Sequence, residues 1–351
     1  MHQKIIQNIQ GLRGIAVLLV VIYHLVIIEK KYGGTDSLLP EFLRFGMSGV
    51  DLFFVISGFV MVSVTQAAFQ SPKSAMTFLY RRVSRIYPLY WVYTVLVLIV
   101  FLVKPSIVNS SVAGEVNILA SFLLLPSETL PLLVVGWTLI HEMYFYLMFF
   151  LMILLLPKKH LPLMLVLWAI GIALLNLFTQ TSSPIAVIVT HPLTIEFIGG
   201  ALLATAYYRK NLIVNSSRSI LLLFGSLITS AIGHAFYIQS TGLLEPAGWW
   251  RVALFGAPAI LVVLSVIQLE RNSVIIHSAL IKIGDASYSI YLSHILTLSF
   301  AGRFWSQYDG NGLWDHALIL PIMLLAVLAV GFISHAIIEK PLIKFSRRIV
   351  I

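Results

Sequence analysis

Stretches of about 20 apolar residues, the length that crosses a bilayer's hydrocarbon core as a helix, recur along this chain with short polar breaks between them. Ten such spans are expected, near Ile9–Ile28, Gly49–Phe69, Ile86–Val103, Gly136–Leu156, Leu161–Phe178, Pro192–Tyr208, Ile220–Ile238, Val252–Leu269, Ile283–Arg303 and His316–Ile338. The apolar run Ile118–Leu125 is too short to span and ends at Pro126, which predicts a re-entrant or interfacial piece. The pattern shows no internal repeat, low-complexity tract or soluble domain. The fold expected is therefore an all-α integral membrane protein, a single bundle of ten transmembrane helices.

Composition supports that solvent assignment. Of 351 residues, 59% are hydrophobic and 11% charged, with a mean hydropathy of +0.95, against about a quarter charged in a soluble domain. The net charge of +9 is scattered among short loops, so membrane orientation explains it better than nucleic-acid binding. With the N-terminus inside, 17 of the 23 Lys and Arg face the cytoplasm, and both termini are cytoplasmic. A missed span would swap every later side, so this lopsided partition supports the count. The first span is followed by "EKKYGG" rather than a small-residue cleavage site, and a retained helix is expected. The sequence has no cysteine, which excludes thiolate nucleophiles and zinc–thiolate sites and leaves catalysis to His, carboxylate or hydroxyl groups. No metal is expected.

Within "LRGIAVLLVVIYHL" the first span carries Arg13 and His24. Eleven residues make about three turns plus 20° and ~16 Å of rise, so the two share a face. Arg13 sits near the cytoplasmic end, where snorkelling to headgroups is the plain alternative. His24 lies past mid-span, where an ionisable group costs free energy and needs a cavity or partner. "GWTLIHEMYFYLMFF" places Glu142 ~9 Å below the outer end of the fourth span, at a depth suited to orienting His24. His141, about 100° further round, points elsewhere. Arg82 and Arg85 in "FLYRRVSRIYPLYWVY" share a face and with Arg13 suit phosphates at the inner mouth, headgroup contact being the alternative. Tyr87, Tyr90, Trp91 and Tyr93 read as interfacial belt aromatics. Asp51 and His294 each admit a functional and a structural reading. Gly46, Gly49, Ser57 and Gly58 read as packing positions.

A cationic inner mouth, a His–Glu pair toward the outside and a path of ~16 Å between them suit an extended, phosphate-bearing donor such as coenzyme A. "IQGLRGIAVLLVVIYHL", "GVDLFFVISGFVM", "FLYRRVSRIYPLYWVY", "GWTLIHEMYFYLMFF" and "GDASYSIYLSHILT", in this order, resemble the membrane acyltransferase-3 family, most closely its bacterial exopolysaccharide O-acetyltransferase branch. The resemblance covers nearly the whole chain, 1–351 as a single transmembrane domain. It implies acyl-CoA, with acetyl-CoA expected, as donor and an extracytoplasmic or lipid-linked glycan as acceptor, beside membrane lipid and polysaccharide-synthesis machinery. The location implied is the bacterial inner membrane. The family's Arg-to-His pair falls on Arg13 and His24, its paired arginines on Arg82 and Arg85, and its acidic position on Glu142. His24 is then the base, acting directly or through an acetyl-histidine. Relatives with a fused periplasmic domain differ from this chain, which ends in "EKPLIKFSRRIVI", so the core is expected to find its acceptor alone. From the residues alone, a secondary transporter of a small anion or lipid-linked sugar, or a scaffold for polymer synthesis, also stays open.

Overall fold

The computed structural model describes residues 6–108, 116–178, 182–209, 213–307 and 312–349. Lys4 and Lys210 of the expected cytoplasmic set lie outside them. Among the described residues every regular element is helical, and nine helices are long and apolar enough to cross a membrane. The chain is a multi-pass helical membrane protein. The segment expected as the ninth span is a 19-residue helix, Ser287–Trp305. It falls outside those nine because serine, tyrosine, histidine and arginine interrupt its apolar residues.

Two compact units emerge, one made of Met1–Ser57 and Ala206–Ile337, the other of Gly58–Thr205 and Ile338–Ile351. The first is organised around α1 (Gln7–Tyr32), a 26-residue helix that carries Arg13 and His24 without a break. Against it lie α12 (Ser278–Asp285), α13 (Ser287–Trp305), α11 (Ala257–Arg271) and the short 3-10 turn Glu41–Met47. Close approach is possible because glycines face the partner backbone: a Cβ on Gly14 would strike the Leu280 carbonyl, and one on Gly284 the Gln10 carbonyl. Gly46 and Gly49 do the same against the Leu19 and Ala16 carbonyls, as their small size suggests.

Both ends of α1 are fixed by buried polar groups. At the start, the Glu270 carboxylate accepts from the Gln7 and Asn8 amides at 3.0 and 2.7 Å, meeting two of the donors that a helix N-terminus leaves unpaired. The Asn8 amide donates to the Val266 and Val274 carbonyls, and its oxygen accepts from the Ile276 N–H. At the far end, Glu29 is wholly buried. It accepts from the Leu38 and Leu39 amides and the Ser37 hydroxyl and pairs with His316 Nδ1 at 2.6 Å. His316 Nε2 donates to the Gly33 carbonyl.

The second unit rests on α3 (Pro72–Val103), 32 residues long, packed antiparallel on α5 (Gly136–Leu155). The run expected to be re-entrant or interfacial is the six-residue helix α4 (Ile118–Leu123), whose N-terminus is capped by Asn117. Its C-terminal carbonyls need donors. Tyr90, Trp91 and Tyr87 supply them, bonding the Ser121, Phe122 and Leu123 carbonyls at 2.7, 2.9 and 2.7 Å. Tyr90 and Tyr93 are buried. Of the aromatics expected to form a lipid belt, Tyr90 and Tyr93 are interior, whereas Trp91 is exposed and, like Tyr87, serves the α4 carbonyls from the outside. Gly58 packs against the Phe197 carbonyl, and Phe145 stacks between Trp168 and Phe197.

A side chain at the α1–α12 crossing has nowhere to go. Gly284→Val is expected to destabilise the protein by about 1–3 kcal/mol, read as a lower unfolding temperature in detergent. An unchanged midpoint would mean that the two backbones are not in contact there.

Candidate functional site

His24 lies two turns before the end of α1, half-buried. Its Nδ1 is 2.8 Å from the Val20 carbonyl and 3.3 Å from Nε2 of His294, on α13. His294 is fully buried, and its Nδ1 is 2.6 Å from the Tyr291 carbonyl. A carbonyl only accepts, so each Nδ1 carries the proton in the neutral rings. His294 Nε2 then holds a lone pair that can accept from His24 Nδ1–H, shared with Val20. The consequence is that His24 presents Nε2 unprotonated, with its tautomer set by two acceptors on the far side of the ring. That is the form a general base needs. The two rings meet edge to face at 4.8 Å, and the Tyr23 ring lies edge-on to His24 at the same distance.

Of the two readings that the sequence leaves open for His294, the structure places it beside His24. The sequence signal was its position on a helix full of small polar residues, which marks an interior span. Arg13, one face with His24, donates to Gln10 at 3.1 Å.

Asp51 sits in a buried ion pair. It is fully buried and takes a bidentate pair from Arg251, at 2.8 Å from Nε and 2.9 Å from Nη2. Arg251 Nη2 also reaches the Met47 carbonyl. Arg251 closes α10 (Gly248–Arg251) just before a π-helical turn, Val252–Gly256. Its partner sits 200 residues away, which spacing in the sequence gave no means of pairing.

Arg82, Arg85 and Glu142 belong to the second unit. Tyr146, one turn after Glu142 on α5, donates its hydroxyl to that carboxylate. Arg82 has Tyr146, Arg85 and Glu142 as charged or polar neighbours, and its guanidinium lies 5.9 Å from the Phe78 ring. Gly136, at the start of α5, packs on Tyr90 of α3, while Tyr146 faces Phe78. Glu142 therefore stands level with Arg82, and α3 continues for about 20 Å beyond Tyr90 to Val103. Leu132, Leu133 and Val135, which precede α5, are buried within the protein. His141 points away from this group, its ring 4.6 Å from that of His191.

Among the described residues no cluster of three His, Asp or Glu side chains offers a metal site. Breaking the Asp51–Arg251 pair leaves a buried charge alone. Arg251→Ala is expected to cost about 3–5 kcal/mol, seen as loss of folded protein on heating in detergent; a shift of less than a degree would mean that the pair is solvated.

The chain matches the model of the acyltransferase domain family over residues 6–336. It is similar to "Exopolysaccharide production protein ExoZ" of Rhizobium meliloti (strain 1021), 28% identical over 318 residues, which are 86% of this chain and 91% of that protein. No solved structure matches. Matched by the family's model over almost its whole length, the chain belongs to the acyltransferase-3 family.

Proposed function

We propose that the protein is a membrane-bound O-acyltransferase of the bacterial inner membrane, with both termini cytoplasmic. In this reading it moves an acetyl group from acetyl-CoA to a hydroxyl of an exopolysaccharide or of its lipid-linked precursor. The observation that carries the proposal is the His24–His294 pair, which leaves His24 Nε2 free to take a proton. The likeness to an exopolysaccharide production protein supports the acceptor class.

His24 Nε2 removes the proton of the acceptor hydroxyl as that oxygen attacks the thioester carbonyl. The new ester bond forms as the carbon–sulfur bond breaks, and the imidazolium returns its proton to the departing thiolate. While His24 is charged, its Nδ1–H keeps the lone pair of His294 and the Val20 carbonyl as acceptors, which holds the ring in place. Arg82 and Arg85 are assigned to the donor's phosphates, for which guanidinium groups have the right geometry. Glu142 is assigned by its own neighbours to the same donor end, where with Tyr146 it fixes Arg82.

Two variants test this. In nanodiscs, His24→Ala is expected to lose at least about 100-fold in release of CoA thiol from acetyl-CoA, with its unfolding temperature retained. The protein has no cysteine, so a thiol reagent sees only CoA. A His24→Ala protein as active as the wild type overturns the proposal. Glu142→Gln is expected to raise the KM for acetyl-CoA about tenfold with kcat little changed. A fall in kcat at constant KM would instead put Glu142 at the base.

A further inference from the structure

Beside His24, at the end of the first unit where α1 terminates, lies a polar group that the chemistry above does not use. Glu245 sits in the six-residue link between α9 (Ser216–Thr241) and α10. Its Oε1 accepts from the Tyr23 hydroxyl at 2.8 Å and from Arg44 Nη1 at 3.0 Å. Arg44 also pairs with Glu41 at 2.9 Å, and Glu41 with Lys30. Tyr23 is the residue whose ring packs on His24. The carboxylate is thereby tied, through one side chain, to the ring of the proposed base.

The link that carries Glu245 is held in shape. Gly242, in the left-handed region at φ 72°, closes α9 and returns its amide to the Ile238 carbonyl. The buried His234 bonds the Leu244 carbonyl at 2.9 Å, and Thr241 accepts from the Leu243 amide. Glu245 is thus preorganised while its side chain stays 40% exposed. Both protein donors go to Oε1, so Oε2 has capacity to accept from a molecule outside. Trp250, 58% exposed and with its ring tilted 5.9 Å from that of Tyr237, follows in α10. A fixed carboxylate that takes hydroxyl hydrogens, with an exposed indole five residues further on, suits a sugar ring.

We propose that Glu245, held by Tyr23 and Arg44, is an acceptor-binding residue: its carboxylate receives hydroxyl hydrogen bonds from the acceptor sugar and sets that sugar beside His24. The assignment rests on the reading of the protein as an O-acyltransferase and adds where the acceptor lies. A neutral, hydroxyl-rich sugar suits the site, since Arg44 is already engaged by two carboxylates and leaves no unbalanced cation for an anionic one.

The test uses the full-length protein in nanodiscs with radiolabelled acetyl-CoA. The acceptor probe is solubilised membrane from a strain that lacks the gene, which holds the unmodified acceptor whether polymeric or lipid-linked. Label entering glycan is followed as the amount of membrane is varied. Glu245→Gln is expected to raise the half-saturating amount of acceptor about tenfold, while the KM for acetyl-CoA moves less than twofold. Tyr23→Phe, which keeps the ring on His24 and removes one donor to the carboxylate, is expected to raise it by a smaller factor. Equal acceptor dependence in Glu245→Gln and wild type overturns the assignment, as does a change confined to the acetyl-CoA KM. No label in glycan with the wild type overturns the transferase reading itself.

Discussion

Everything in the first unit is referred to one helix that is not free to slide. The Gly14–Gly284 crossing brings the backbones of α1 and α12 together, and a one-residue shift of α1 would drive a side chain into the contact. Glu270 and Asn8 hold one end; Glu29, His316 and the Gly33 carbonyl hold the other. A base inside a membrane needs such a frame. Its use depends on the depth and rotation of its ring, and a 1 Å displacement is costly in catalysis.

The same economy governs the other buried polar groups. In hydrocarbon an unsatisfied polar group costs several kcal/mol, so Asp51 meets Arg251, Glu29 meets His316, and the α4 carbonyls meet Tyr87, Tyr90 and Trp91. These pairs are closed: each donor ends on an acceptor within the protein. His24 differs because two acceptors crowd its Nδ1 and the geometry leaves Nε2 facing outward from that bond network. Glu245 differs in the same sense, with both protein donors on one oxygen. Groups with capacity to spare, on a frame otherwise saturated, are where chemistry is expected.

The pattern of apolar runs carried most of the fold, because a bilayer imposes length and hydropathy on each span. It read α1, the helices Leu161–Phe178 and Ser216–Thr241, and α5 closely. It failed where hydropathy is silent. The start of α3 at Pro72 lies well before the apolar run at Ile86, since a helix continues past the membrane at no cost. In the site, His24 and Arg13 were legible as ionisable residues in one greasy helix. His294, Glu245 and the Asp51–Arg251 pair depend on contacts across 200 residues or more, and no local spacing encodes them. The belt aromatics show how one pattern serves two ends: amphipathic rings suit an interface, and equally suit a helix terminus that lacks donors.

The central claim is that His24 is kept in the tautomer with Nδ1 protonated and Nε2 open. Nitrogen-15 solid-state NMR of histidine-labelled protein in bilayers reads this directly, with His24→Asn identifying the resonance. The account predicts a neutral ring bearing its proton on Nδ1, whose signals shift when His294 is replaced by alanine. A His24 ring protonated on Nε2, or one indifferent to His294, would contradict it.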